Sequence, residues 1–237
     1  QFCNLTEVVV RSPDTNKMLK EKVRLATILG TFQSTLTDFK YIRKIWKQNT
    51  EEERLLGVSL TGIMDSKLTN NPDKGFLAEL KQVAVDTNKE FAKRLKINQS
   101  TAITCVKPSG TVSQLVDSAS GIHTRHNPYY IRTVRCDKKD PLTQLMIDQG
   151  VPNEPDITKP DSVTVFSFPT LSPPGSVTRN DMSALQQLEL WLKYQREWCE
   201  HKPSVTISVR EDEWMEVGAW VYKYFDEVSG ISFLPYT

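Results

Sequence analysis

At the centre of the chain stands the stretch Thr101-Ala102-Ile103-Thr104-Cys105-Val106-Lys107-Pro108-Ser109-Gly110-Thr111-Val112-Ser113, which decides the fold. Its first half is rich in β-branched residues and predicts a buried strand, and the Pro-Ser-Gly-Thr that follows predicts a turn. A helix that begins at about Val112 would point its first free N–H groups and the positive end of its dipole at this turn. Because Gly110 also lets the backbone approach a ligand closely, the turn suits a phosphate group.

Predicted strands alternate with predicted helices on both sides of this stretch. Strands are predicted at residues 2–10, 101–106, 130–135, 163–168, 205–209 and 231–234, and helices at 16–39, 72–95, 141–148, 183–198 and 211–227. Residues 57–63 fit either a strand or the start of a helix, and the proline-rich residues 170–179 predict a loop. Such alternation is typical of βα units on a parallel sheet, so the predicted fold class is α/β.

Two helices carry apolar residues at helical spacing. In the helix at 16–39 these residues predict one long buried face: Met18, Leu25, Ile28, Leu29, Phe32, Leu36 and Phe39. The helix at 183–198 opens with Ser183 and Gln186, which predict a capping box. Its apolar residues predict a second buried face: Leu185, Leu188, Trp191, Leu192 and Trp198.

Composition excludes several classes of function. The 237 residues include 30 basic and 29 acidic side chains, a net charge of +1, so nothing indicates a nucleic-acid or membrane surface. No apolar run is long enough to span a membrane, and the chain has neither a GxGxxG nor a GxxxxGKS motif. The four cysteines lack CxxC spacing and the three histidines are poorly spaced, so we predict no metal site and no disulfide framework. A reducing cytoplasm is the expected compartment.

Motifs along the whole chain resemble one enzyme family. Lys107 to Ser113, then Gly121-Ile122-His123, then Tyr129-Tyr130-Ile131-Arg132 closely resemble the substrate-phosphate region of adenosylcobalamin-dependent ribonucleotide reductases, particularly the monomeric ribonucleoside-triphosphate reductases. Further motifs follow in the family's order: Phe2-Cys3-Asn4-Leu5-Thr6-Glu7-Val8, Gly57-Val58-Ser59-Leu60-Thr61-Gly62, Gly150-Val151-Pro152, Arg179-Asn180-Asp181-Met182-Ser183, Trp198-Cys199-Glu200-His201-Lys202-Pro203-Ser204 and Ser232-Phe233-Leu234-Pro235.

The resemblance implies a fold and a reaction. The fold would be roughly the second half of a ten-stranded α/β barrel, with residues 1–237 forming a single fragment of the catalytic domain, truncated at both ends. The complete enzyme would remove the 2′-hydroxyl of ribonucleoside triphosphates. Homolysis of the cobalt–carbon bond of adenosylcobalamin would lead to a thiyl radical that abstracts the 3′-hydrogen. The cysteine that bears this radical would lie upstream of the chain.

The resemblance also implies roles for particular residues. A lone cysteine in an apolar strand is commonly a buried structural residue. The resemblance instead makes Cys3 one of the two cysteines that reduce the substrate and close a disulfide, with its partner upstream and a thioredoxin-like reductant to reset it. The predicted substrate-phosphate site consists of Pro108, Ser109, Gly110, Thr111 and Val112.

The sequence does not assign a role to Lys107, to His123 or to the block that begins at His201. Lys107 is either a phosphate ligand or a solvated side chain. His123 receives no role, since Thr124 follows it where the family is expected to have proline. The His201-Lys202-Pro203-Ser204 block has no physical role that the sequence reveals.

Three alternatives to the leading function remain. The protein would be a diphosphate-specific cobalamin reductase, a reductase that depends on an iron or manganese subunit, or a non-catalytic phosphate-binding domain of the same fold. Gly110 and the block that begins at Trp198 favour the monomeric cobalamin type.

Overall fold

A computed structural model describes residues 2–236, which divide into two compact units. The first unit comprises the described residues up to Arg125 together with those from Pro174 onward, and the second comprises His126–Pro173. The first unit contains these strands and helices: β1 (Asn4–Val9), α1 (Asn16–Gln33), α2 (Lys44–Glu53), β2 (Leu56–Thr61), α3 (Lys67–Asn70), α4 (Phe76–Leu95), β3 (Thr104–Cys105), α5 (Thr111–Leu115), α7 (Ala184–Glu197), β7 (Val205–Val209), α8 (Trp214–Lys223) and β8 (Ile231–Pro235). The second contains β4 (Tyr129–Asp137), α6 (Pro141–Asp148), β5 (Asn153–Pro155) and β6 (Val163–Leu171). None of the helices over residues 2–236 combines the length and the apolar composition needed to cross a membrane.

The first unit is built on a parallel sheet in the order β1-β2-β3. Val8 and Val58 are buried on one face, which α1 covers. Side chains alternate between the two faces of a strand, so Cys3, Leu5 and Glu7 all belong to the opposite face. Residues 57–63, for which the sequence fits either a strand or the start of a helix, form most of β2 and the first residue of a short 3₁₀ helix, Ile63–Asp65.

A second parallel pair, β7-β8, is linked to this sheet through the segment before β7. The backbone N–H groups of Glu200 and His201 both donate to the Thr104 carbonyl at 3.0 Å, and Ser204 N–H donates to the Val106 carbonyl at 3.0 Å. The segment thus runs along the free edge of β3. Beside it lies α7, whose predicted capping box at Ser183 is confirmed.

The strands of the second unit are antiparallel, whereas those of the first unit are parallel. β4 pairs with β6 over nine positions, and β5 pairs with the other edge of β6, all antiparallel. The α/β class predicted from the sequence is confirmed, but a parallel arrangement for every strand is wrong here. Alternation of strands and helices does not fix strand direction, since the short α6 leads into β5, which returns along β6.

The predicted buried face of α1 is also wrong. The helix ends at Gln33, and most of the apolar side chains predicted to be buried are exposed, including Leu29 at 65% and Leu36 beyond its end at 72%, while Ile28 and Phe39 are half-buried. A narrower stripe containing Leu19 and Val23 is buried instead. Gly30 belongs to that stripe, and a Cβ there would lie 3.5 Å from the Leu56 side chain, so small residues let the helix approach the sheet closely.

Candidate active site

The open face of the β1-β2-β3 sheet gathers the polar and thiol groups of the predicted site. Cys3 and Glu7 lie on this face of β1, and the register places Glu7 beside Ser59 and Ser59 beside Cys105. The Ser59 hydroxyl accepts a hydrogen bond from Lys107 N–H at 2.9 Å, which ties the turn after β3 to the sheet. The face therefore carries a thiol at its amino end and the predicted phosphate turn at its carboxyl end.

Cys3 is an exposed free thiol. Its Sγ lies 3.9 Å from Nε2 of His201, a residue 198 positions away in the sequence. Partial burial raises the pKa of the Cys3 thiol, and the charge of Lys107 acts in the opposite direction. The thiol is accessible to a reactant, and its environment favours the protonated form.

A second thiol shares the space beside Cys3. A Cβ placed on Gly57 would lie 3.0 Å from the Sγ of Cys3 and 3.4 Å from the Sγ of Cys105, so both sulfurs border the gap above this glycine. Cys105 is fully buried, and desolvation raises its pKa to about 12. No local feature of the sequence indicates this proximity. Only the registers of three strands, in which β2 separates the two cysteines, would have indicated it.

The predicted phosphate turn is exposed and lies on the same face. Helix α5 begins at Thr111, one residue earlier than predicted, and Gly110 has a φ of 51°, in the left-handed region that favours glycine. Ser109 N–H donates to the Ser120 hydroxyl at 3.2 Å, and the Ser109 hydroxyl donates to Glu7 Oε2 at 2.9 Å. Burial raises the pKa of Glu7, and the hydrogen bond from Ser109 lowers it to a smaller extent.

Not every amide of the turn is open to a ligand. Val112 N–H donates to the Ser109 carbonyl at 3.2 Å. The N–H groups of Gly110 and Thr111, together with the Thr111 hydroxyl, hydrogen-bond to no other group of the described residues. Pro108 is exposed and has no N–H to offer. Of the five predicted residues, Gly110 and Thr111 therefore present the free donors.

The segment after α5 supports the turn from behind. A Cβ on Gly121 would meet the Lys107 carbonyl at 2.7 Å, so only glycine allows this close approach. A buried ion pair fixes the same segment: Arg125 Nε and Nη2 donate to the two Asp65 carboxylate oxygens, each at 2.9 Å. Asp65 also accepts from Ala119 N–H at 2.8 Å. Sequence reasoning missed this pair because nothing local connects residues 60 positions apart.

Two of the three histidines use ring nitrogens in hydrogen bonds within the fold. His123 uses both ring nitrogens, since Nδ1 donates to the Ser120 carbonyl at 2.9 Å and Nε2 accepts from Thr206 N–H at 3.0 Å. His201 Nε2 donates to the Leu56 carbonyl at 2.7 Å, because a carbonyl can only accept. No group of three His, Cys, Asp or Glu side chains within residues 2–236 could hold a metal ion. No cobalamin contact is assigned to a particular residue of this chain.

The chain matches no protein-family model. It is similar to curated proteins named adenosylcobalamin-dependent ribonucleoside-triphosphate reductase. The one from Euglena gracilis is 29% identical over 239 residues, covering 91% of this chain and 33% of the relative. The one from Lactobacillus leichmannii is 25% identical over 266 residues, covering 99% of this chain and 36% of the relative. The family resemblance predicted from the sequence is confirmed.

A solved structure shares the fold. The crystal structure of a B-12 dependent (class II) ribonucleotide reductase aligns with a TM-score of 0.82 and 24% identity, over 99% of this chain and 37% of that chain. The chain thus spans about a third of the length of the curated relatives that it matches.

Proposed function

We propose, from the homology of this chain to adenosylcobalamin-dependent ribonucleotide reductases, that the complete protein reduces ribonucleoside triphosphates to 2′-deoxyribonucleotides. The chain would contribute roughly the second half of a ten-stranded α/β barrel, with the open face of β1-β2-β3 turned to the barrel interior. Two features support this: the similarity covers nearly the whole chain, and that face carries polar and thiol groups rather than a second apolar layer.

The single observation that carries the proposal is the placement of the exposed Cys3 and the exposed turn at 108–112 on one face of the sheet, at its two ends. Glu7, four residues after Cys3 on the same strand, is hydrogen-bonded to Ser109 of the turn. At ~3.3 Å per residue, Cys3 and Glu7 lie about 13 Å apart along the strand. An extended nucleotide lying along this face would bring its phosphates to the turn and its sugar toward the thiol.

The turn would hold the substrate without reacting with it. The Gly110 and Thr111 amides and the Thr111 hydroxyl are the free donors for phosphate oxygens. The Ser109 hydroxyl would join them after leaving the Glu7 carboxyl, whose pKa burial raises. Val112 would line the site through its exposed side chain. Binding energy from the phosphates would then fix the sugar in position for chemistry elsewhere on the face.

Cys3 would supply one of the two thiols that reduce the substrate. Its exposure supports this role, since a thiol that reacts with both a substrate and a reductant protein must be accessible. Its partner in the disulfide and the cysteine that bears the thiyl radical are assigned to the rest of the enzyme, and the complete enzyme would use adenosylcobalamin. A thioredoxin-like dithiol would reset the disulfide. Free thiols at all four cysteines are compatible with a reducing cytoplasm as the compartment.

The proposal is tested with Cys3→Ser in the complete enzyme, supplied with adenosylcobalamin, a ribonucleoside triphosphate and thioredoxin. We expect the rate of multiple turnover to fall at least ~10³-fold, because removal of an essential reacting group lowers enzyme activity by at least this factor. Cys136→Ser is the matched control, because this thiol lies on β4 in the second unit, and it should keep wild-type turnover.

Other outcomes separate the alternatives. Unchanged turnover in Cys3→Ser would contradict the redox role of this thiol. Preference for diphosphates would indicate the diphosphate-specific type, and dependence on an iron or manganese subunit would indicate the metal-dependent type. A cobalamin-loaded enzyme that forms no deoxynucleotide from any ribonucleotide would favour a non-catalytic phosphate-binding domain.

A further inference from the structure

His201 belongs to a sequence block without an evident role, and the structure brings its imidazole to the Cys3 thiol. The backbone around it is firmly held: His201 N–H donates to the Thr104 carbonyl at 3.0 Å, and the Glu200 carboxylate accepts from Ile103 N–H at 2.7 Å. The side chain is half-buried. The loop therefore delivers this ring to a defined place at the amino end of the sheet.

The hydrogen bond to Leu56 fixes which nitrogen carries a proton. Nε2 lies 2.7 Å from the Leu56 carbonyl and must therefore be an N–H donor. The same Nε2 lies 3.9 Å from Cys3 Sγ. The one proton on Nε2 is therefore directed at the Leu56 carbonyl, and Cys3 Sγ lies beside this N–H as a second, more distant acceptor rather than next to a lone pair that would remove its proton.

We propose that His201 is a positioning residue whose Nε2–H, held by the Leu56 carbonyl, is shared with Cys3 Sγ when that sulfur carries charge and so stabilises the thiolate during re-reduction of the active-site disulfide. This inference rests on the proposed redox role of Cys3. The other titratable or charged groups that face the thiol are Lys107 and Cys105, and Glu7 lies further along the same face. Among these groups only Lys107 favours the thiolate by its charge, and burial opposes it.

The step that benefits is thiol–disulfide exchange. A thiolate of the dithiol reductant attacks the sulfur of the partner cysteine and forms a mixed disulfide, while the bond from that sulfur to Cys3 breaks. The electron pair of the broken bond leaves on Cys3 Sγ, which then takes a proton from solvent. The second reductant thiol releases the partner cysteine, so the reductant is oxidised to its disulfide and both cysteines are reduced. An N–H donor that the leaving sulfur shares with the Leu56 carbonyl stabilises the thiolate as its charge develops.

The test measures alkylation of Cys3 by iodoacetamide as a function of pH in the complete enzyme, with the modified peptides identified by mass spectrometry. His201→Phe retains a ring but has no N–H, and His201→Gln retains a donor. We expect His201→Phe to shift the alkylation profile to higher pH and to slow the reaction about three- to tenfold at pH 7.5, a small effect because the N···S separation is long. His201→Gln should recover part of the rate.

Controls separate this effect from misfolding. His126→Phe, in the second unit, should leave the profile unchanged, and the buried Cys105 and Cys199 should stay unmodified wherever the fold is intact. An unchanged profile in His201→Phe with these thiols protected would overturn the inference. If His201→Phe makes Cys105 or Cys199 reactive, the variant has lost its fold and a second measurement on the wild-type enzyme is needed. The ¹⁵N chemical shift of His201 Nε2 should change over the pH range in which Cys3 ionises. A chemical shift that stays constant over that range would overturn the inference.

The two proposals fail separately. Loss of turnover in Cys3→Ser with an unshifted His201→Phe profile would retain the redox role and reject the part played by His201. A shifted profile with unimpaired Cys3→Ser turnover would retain the Cys–His contact and reject the redox role.

Discussion

Replacing Gly57 by alanine is expected to separate the chemistry of this face from its stability. A Cβ at this position would lie 2.4 Å from Leu5 Cδ2, 3.0 Å from Cys3 Sγ and 3.4 Å from Cys105 Sγ. The first distance is far below van der Waals contact, so a neighbour must move. Leu5 is 52% exposed and Cys3 is exposed as well, so the ends of these two side chains can rotate toward solvent.

The loss of unfolding free energy depends on which atoms move to make room for the new Cβ. Overpacking of a rigid core costs about 1–3 kcal/mol, and rotation of two exposed side chains should keep the loss of unfolding free energy at or below ~1 kcal/mol. The Cys3 thiol, however, loses its place between Gly57 and His201. In the complete enzyme we expect turnover with thioredoxin to fall about tenfold or more, because a displacement near 1 Å is costly for a reacting group.

The assay pairs urea unfolding with turnover, and Gly218→Ala is the matched control. A Cβ on Gly218, inside α8, would meet nothing within 4 Å, so this variant should gain about 0.5–1 kcal/mol and keep its activity. If Gly57→Ala retains wild-type turnover, the space above this glycine does not position the thiol. If it instead loses several kcal/mol of stability, Leu5 and Cys3 are more tightly held than their exposure indicates.

Two further predictions concern stability. Asp65→Ala should lower the free energy of unfolding by about 3–5 kcal/mol, because it leaves the buried Arg125 guanidinium without its main partner; a loss below ~1 kcal/mol in urea titration would contradict this. Hydrogen bonds from Thr158 and then Arg135 lower the pKa of Asp156, so its carboxylate stabilises the fold above the unfolded-state pKa of ~3.9, and that contribution is lost as the pH falls through the lower folded-state value. Asp156→Asn should therefore melt below the wild type at pH 7, with the difference narrowing below about pH 4; a difference that is constant with pH would refute the assignment.

Local signals in the sequence predicted individual elements well. The strand at Val205–Val209 has the predicted bounds, and the capping box at Ser183 lies where the Ser and Gln spacing placed it. These features depend on residues within a few positions of one another. Backbone hydrogen bonding of a cap and alternation within a strand need no knowledge of the rest of the chain.

Predictions that depended on distant partners were less successful. The helical spacing that includes Leu29 was real, yet a stripe of smaller residues packs on the sheet, since the depth of approach depends on the opposing strand. The direction of β4 against β6 could not be deduced from alternation alone. For the candidate site, the motifs indicated Cys3 and the phosphate turn, and their roles stay predictions. The proximity of Cys3 to Cys105 and to His201 arises only from pairing across strands.

The register of β1 links the core to the proposed chemistry. Val8 and Val10 are buried against the helices, while Cys3 and Glu7 lie on the opposite face of the same strand. Because the side-chain period of a strand is two, a shift of β1 by one residue against β2 would expose both valines and turn the Cys3 and Glu7 side chains into the apolar layer. The burial energy of the valines therefore also holds the thiol and the Glu7 carboxyl toward the phosphate turn. The stability of the core and the proposed function of this face therefore both depend on the register of β1 against β2. A substitution in β1 must preserve the buried valines as well as the positions of Cys3 and Glu7.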